Sequence, residues 1–144
     1  MPHPIILTQQ HRDHLIAHAR AEHPRECCGL VVGRRNGDAI RVVKTIRATN
    51  ITEDDPARAY QIDWETLFQT IRGLRNTAEQ LVGFYHSHPT GSSTPSHRDR
   101  REAWINHGYL IIARAQDPNP TITAWELQST CADFDQQQVV VMRS

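Results

Sequence analysis

The chain has 144 residues, 38% of them hydrophobic and 22% charged, and its sixteen Lys+Arg balance sixteen Asp+Glu to a formal net charge of zero. That length encloses one sizeable core with little room for a second domain, and the apolar content excludes a disordered tail. The neutral balance offers no field to hold a polyanion or an acidic membrane, which disfavours nucleic acid as the main partner. No apolar run approaches the ~20 residues of a membrane span, and no cationic segment followed by an apolar stretch opens the chain. A cytoplasmic protein is expected. Three cysteines, Cys27, Cys28 and Cys131, make no spaced disulfide framework and read as reduced thiols, with Cys28 a buried small hydrophobe. Nine histidines are the unusual figure.

In chain order, an extended start at residues 4–7 leads to Thr8, which can cap a helix running to about residue 22 with Leu15, Ile16 and Ala19 on its apolar face. Residues 28–33 and 39–46 are β-rich and joined across Asn36-Gly37, a hairpin signal. The polar segment 47–58 reads as a loop, a candidate wall for a substrate groove, and leads to a short strand at 60–62. Asp63 caps a predicted helix to about residue 77, whose face of Trp64, Leu67, Phe68, Ile71 and Leu74 is expected to pack on a sheet. A strand at 81–88, a loop at 89–95 and a helix from 96 to about 107 follow, with Gly108 as terminator. Strands at 109–115, 122–128 and 139–142 close the chain, and Trp64, Trp104 and Trp125 are assigned to packing. The pattern predicts the α/β class, a single mixed β-sheet flanked by helices, in one domain over residues 1–144.

The chemistry gathers around the strand at 81–88. A period of two puts Val82, Phe84, His86 and His88 on one face, so two imidazoles project side by side from the strand's end. Asp99, eleven residues after His88, offers a carboxylate from the first turn of the next helix. Two His and one Asp make a three-ligand shell with an open fourth position, the arrangement of a catalytic zinc. Chemistry at such an ion needs a proton acceptor, for which Glu26 is the leading candidate, and Ser96 could aim its hydroxyl at a developing oxyanion. Simpler readings stand beside these. Ser96-x-x-Asp99 is also a capping pattern, and His86-x-His88 could line a polar face. His11, His14 and His18 read as a solvated helix face, as do Arg98, Arg100 and Arg101.

The whole string decides between them: Glu26-Cys27-Cys28-Gly29, then His86-Ser87-His88-Pro89, six residues, Ser96, two residues, Asp99. It resembles the JAMM, or MPN-plus, metalloprotease family, whose signature is His-x-His-Pro, Ser and Asp at these spacings with a Glu in an earlier Glu-x-Cys-Gly. The doubled cysteine puts Cys28 at the family's Cys position and leaves Glu26 aligned. The resemblance implies a cytidine-deaminase-like fold and one catalytic zinc on His86, His88 and Asp99, with Glu26 activating water and Ser96 stabilising the oxyanion. It also implies hydrolysis after the C-terminal Gly-Gly of a ubiquitin-like or sulfur-carrier protein. The alternatives are a catalytically silent zinc-containing MPN interaction module and a general zinc peptidase. A zinc nucleobase deaminase needs a His-x-Glu and a Pro-Cys-x-x-Cys, which the sequence lacks.

Overall fold

The structure, a computed structural model, describes residues 2–128 and 133–143, so Cys131 lies outside the described residues. Thr8 ends β1 (Ile5–Thr8) and caps α1 (Gln9–Glu22): its hydroxyl accepts from the His11 amide, and the His11 ring accepts from the Thr8 amide, both at 3.1 Å. β2 (Cys28–Asn36) and β3 (Ala39–Ala48) form the expected hairpin, turning at Gly37 with a φ of +59°. β2 pairs antiparallel with β4 (Gln80–His88), which runs parallel to β5 (Gly108–Ala113). Gly83 allows that parallel pair its close approach, since a Cβ there would meet the Gly108 carbonyl oxygen at 2.3 Å. β6 (Thr121–Glu126) and β7 (Asp135–Gln137) extend one side, and β1 with β8 (Val139–Met142) the other.

The strand order is β7-β6-β5-β4-β2-β3-β1-β8. Only Gln138 separates β7 from β8, although they stand at opposite ends of that order. The sheet therefore curls until its edges meet, and the Ile5 amide donates to the Gln138 carbonyl at 2.9 Å there. α1 fills one face with Leu15, Ile16 and Ala19 against Leu7, Val31, Ile40 and Leu110. A smaller core on the other face joins Leu30, Phe84 and Tyr109 to Leu67 of α2 (Trp64–Gly73). The class is as expected, α/β with one mixed sheet flanked by helices.

Several expectations need correction. Val82 does not share a face with Phe84, His86 and His88: the ladder steps from Val31–Gly83 to Val32–Leu81, so Val82 is the extra residue of a bulge. It packs instead in the α1 core. The helix from Asp63 ends at Gly73, and of its apolar face only Leu67 is buried; Trp64, Phe68 and Ile71 are exposed. Periodicity identified the face and not what covers it. Trp104 is also exposed, so neither it nor Trp64 serves the core. α3 (His97–Glu102) stops five residues short of the expected end: the Trp104 amide turns to the Tyr109 hydroxyl at 2.6 Å, and Asn106 takes a φ of +65°. Residues 60–62 contribute only a bridge from Ile62 to Asn50. His18 is buried, bonded through Nδ1 to the Tyr85 hydroxyl at 2.7 Å, so the three α1 histidines do not form a solvated face. Among the described residues, no helix is long and apolar enough to cross a membrane.

Candidate active site

The site forms where β2 enters and β4 leaves the sheet. The ladder pairs Cys28 with His86, and Glu26 lies two residues before that pair. Asp99 comes from the first turn of α3, where the Ser96 hydroxyl accepts from the Asp99 amide at 3.0 Å and the Ser96 amide donates to Asp99 Oδ2 at 2.8 Å. Both halves of a capping box are thus present, and the cap aims the carboxylate at the strand. His86 Nε2, His88 Nε2 and Asp99 Oδ2 lie 3.1 Å from one another. All three residues are buried, as is Glu26.

The donors present suit a metal ion. His88 Nδ1 lies 2.9 Å from the Ser92 carbonyl, which can only accept, so Nδ1 carries the hydrogen, and Nε2 is left to donate to Asp99 when protonated or to offer its lone pair to a metal. The Tyr60 ring stacks on His86 at 4.5 Å between centroids and fixes its plane. Nitrogen ligands about 2.0–2.1 Å from a tetrahedral zinc stand roughly 3.3 Å apart. A small outward shift of the trio would accommodate that ion. Glu26 adds a second carboxylate, and its oxygen and the two histidine nitrogens lie within 4.8 Å of one another, the span of a metal-binding cluster. Its Oε1 is buried without a hydrogen-bond partner.

The electrostatics separate the two acids. Burial pushes the Glu26 carboxyl up to about 8, helped by Asp99 and opposed by His88 and Arg98. Burial works in the same direction on Asp99, but His86, the two histidine hydrogen bonds and the Ser96 amide outweigh it and hold that carboxyl well below the usual range. Burial lowers the His86 pKa, against the opposing pull of Asp99. Burial also raises the Cys27 thiol to about 12 and the Cys28 thiol further, which leaves both as packing groups rather than nucleophiles.

A cleft of about 310 Å³ runs over the site, lined by Glu26, Ala57, Arg58, His88, Ser92 and Ser96. The loop after β3 does supply one wall, through Ala57 and Arg58. On the other side of Tyr60 opens a groove of about 320 Å³, lined by Tyr60, Ile62, Trp64, Leu67, Phe84 and Trp104, with Gln61 and Glu102 as polar members. The structure thus gathers His86, His88, Asp99, Glu26 and Ser96, and adds Tyr60, Asn50 and Ser92, for which the sequence carries no local signal. The Asn50 carboxamide donates to the carbonyls of Glu26 at 3.1 Å and Ala59 at 3.0 Å, and accepts from the Thr52 and Gln61 amides. With all four bonds made, it folds the loop over Glu26.

Residues 8–128 match the family described as prokaryotic homologs of the JAB domain. The chain belongs to this JAB-domain family. Among its relatives, the desampylase of Haloferax volcanii is 33% identical over 127 residues, spanning 85% of this chain and 86% of that one. A probable TtuB-protein conjugate cleaving protease of Thermus thermophilus is 36% identical over 96 residues, 67% of this chain and 61% of the other. The CysO-cysteine peptidase of Mycobacterium tuberculosis is 30% identical over 105 residues, 73% and 69% of the two chains. A Desulfitobacterium hafniense protein solved in solution superposes with a TM-score of 0.84 at 28% identity, over 97% of this chain and 94% of its own. The site described above lies within the matched JAB domain.

Proposed function

We propose that this JAB-domain chain is a zinc-dependent isopeptidase that hydrolyses the amide bond after the C-terminal Gly-Gly of a ubiquitin-like or sulfur-carrier protein. The observation that carries the reading is the convergence of His86, His88 and Asp99 at 3.1 Å spacings, with the unpartnered Glu26 carboxyl beside them. Relatives named as a desampylase, a conjugate cleaving protease and a CysO-cysteine peptidase support the substrate class. His86, His88 and Asp99 would hold one zinc, which when bound supplies Lewis acidity and a nucleophile at neutral pH.

The chain's own residues do the rest. Glu26 accepts the proton of the attacking water and delivers it to the leaving amine nitrogen as the C–N bond breaks. Ser96 Oγ accepts from the Asp99 amide, so its hydroxyl hydrogen is left to donate to the oxygen of the tetrahedral intermediate. A Gly-Gly tail suits a cleft bounded by the Ala57–Arg58 wall, because it is narrow and extends without a side-chain clash. The folded body of the carrier rests on the exposed Trp64 and Trp104 of the neighbouring groove and on Phe68 stacked against Trp64, and Tyr60 joins that groove to the site. One continuous sheet supports residues 1–144 as a single domain, and free Cys27 and Cys28 support a cytoplasmic setting.

The experiment is incubation of zinc-loaded protein with a ubiquitin-like carrier extended beyond Gly-Gly, followed by mass spectrometry of the products. Cleavage after the second Gly, lost when that Gly becomes Val, is expected. Cleavage of unstructured peptides as fast as the carrier would replace this reading with a general zinc peptidase, and no cleavage with zinc bound would leave an interaction module.

A further inference from the structure

Where β2 enters the sheet, one bond of its ladder with β4 is made by a side chain. The ladder's last pair is Cys28 with His86. One step on, the Ser87 amide donates to the Cys27 carbonyl at 3.1 Å, which marks the two as a hydrogen-bonded pair. In such a pair the Cys27 amide ordinarily returns its bond to the Ser87 carbonyl oxygen. Here it donates to the Ser87 hydroxyl instead, at 2.8 Å. Both residues are buried, Cys27 at 1% exposure and Ser87 at 3%, so bulk water does not substitute for that acceptor. The strand therefore departs from the ladder at Cys27, one residue after Glu26.

Glu26 is tied down on its other side by the loop: its amide donates to the Pro56 carbonyl at 2.7 Å and its carbonyl accepts from Asn50 at 3.1 Å. Those bonds fix it relative to the loop. The paired bonds between Cys27 and Ser87 fix it relative to the strand that carries His86 and His88. We propose that Ser87 is the positioning residue for Glu26, its hydroxyl setting the backbone from which the carboxyl reaches the two histidines. The inference rests on the reading of Glu26 as proton acceptor. Ser87 itself is no catalytic residue. It alternates with the histidines along β4 and lines a second cavity of about 310 Å³, together with Ala19, His88, Thr90, Ile112 and Arg114. Threonine keeps the hydroxyl and adds one methyl group.

The test compares Ser87→Ala and Ser87→Thr in the zinc-loaded protein. Ser87→Ala is expected to lose kcat on the order of 10- to 100-fold, the effect of a misplacement near 1 Å, with KM and zinc content unchanged. Ser87→Thr is expected to restore turnover. A second readout needs no turnover: by NMR the Cys27 amide should exchange slowly in the wild type and Ser87→Thr and rapidly in Ser87→Ala. Wild-type kcat in Ser87→Ala, a Thr variant as slow as the Ala variant, zinc lost in step with activity, or equal protection of the Cys27 amide would each overturn the proposal. A wild type that binds zinc but leaves Gly-Gly conjugates intact would instead sink the isopeptidase reading, and amide exchange alone would then decide the role of Ser87.

Discussion

Replacing Glu26 by Gln is expected to remove most turnover while sparing the fold and the metal site. The fold is spared because residue 26 is held by backbone bonds to Pro56 and Asn50 that do not involve the carboxyl, and Gln has the same length. The carboxyl itself is a burden on stability, being buried with Oε1 unpartnered. Burial raises its pKa from 4.5 to about 8, so in the metal-free protein its cost is absent below pH 4.5 and grows as pH rises toward 8. Gln carries no such cost, and the metal-free variant should melt no lower than the wild type at pH 8. No neighbour replaces the lost proton acceptor, because Asp99 Oδ2 already receives His86, His88 and the Ser96 amide. The full contribution of a positioned acid–base group should go, about 10²–10⁴-fold in kcat or roughly 3–5 kcal/mol of barrier. Steady-state cleavage of a Gly-Gly conjugate, with metal analysis and a thermal melt of the same preparation, reads all three. Near-normal kcat would refute the assignment. Loss of zinc along with activity would make Glu26 a ligand, in keeping with its place within 4.8 Å of both histidines.

Ser96→Ala should cost twice over: about 2.7–4 kcal/mol of barrier for a lost oxyanion donor, and ~0.5–2 kcal/mol of stability for a lost N-cap. A melt lowered with kcat unchanged would leave Ser96 as a cap alone. Trp64→Ala and Phe68→Ala remove side chains that are 54% and 58% exposed, so the melt should hold while KM for a folded carrier rises by about tenfold, the effect of truncating an interface hot spot. An unchanged KM would move the carrier elsewhere. His18 is held below its usual 6.5 by burial and by Arg47, so it is neutral in the fold. Its share of stability is present above pH 6.5 and is lost as pH falls through its depressed value. His18→Asn, which keeps an acceptor for Tyr85, should therefore lose less melting temperature between pH 7 and pH 5 than the wild type does; an equal loss would show that His18 does not titrate there.

The parts of the site that the sequence made legible are those whose geometry is local. Alternation along a strand brings His86 and His88 to one point, and the four-residue cap from Ser96 to Asp99 aims the carboxylate at them, so motif and structure coincide. Glu26 is the leading proton acceptor in the sequence, but its place beside the histidines depends on the register of β2 against β4, sixty residues away along the chain. The bulge at Val82 is invisible for the same reason: it exists only in the count of two strands against each other. β7 is three residues long and polar, with no alternation to detect. Asn50 and Tyr60 lie in a loop without periodicity, and their roles come from partners that the fold brings near. The amphipathic face of α2 is correctly patterned yet open to solvent, because pattern reports a face seeking a partner and says nothing of which partner it finds.

The central claim is that one zinc on His86, His88 and Asp99 drives hydrolysis, and a titration tests it most directly. Protein stripped with a chelator is inactive by this account. Zinc added in steps should restore cleavage of a Gly-Gly-extended carrier in proportion to bound metal, reaching a plateau at one ion per chain, and the His86→Ala/His88→Ala double variant should neither bind nor cleave. Full activity in stripped protein, or an unaltered titration in the double variant, would contradict it.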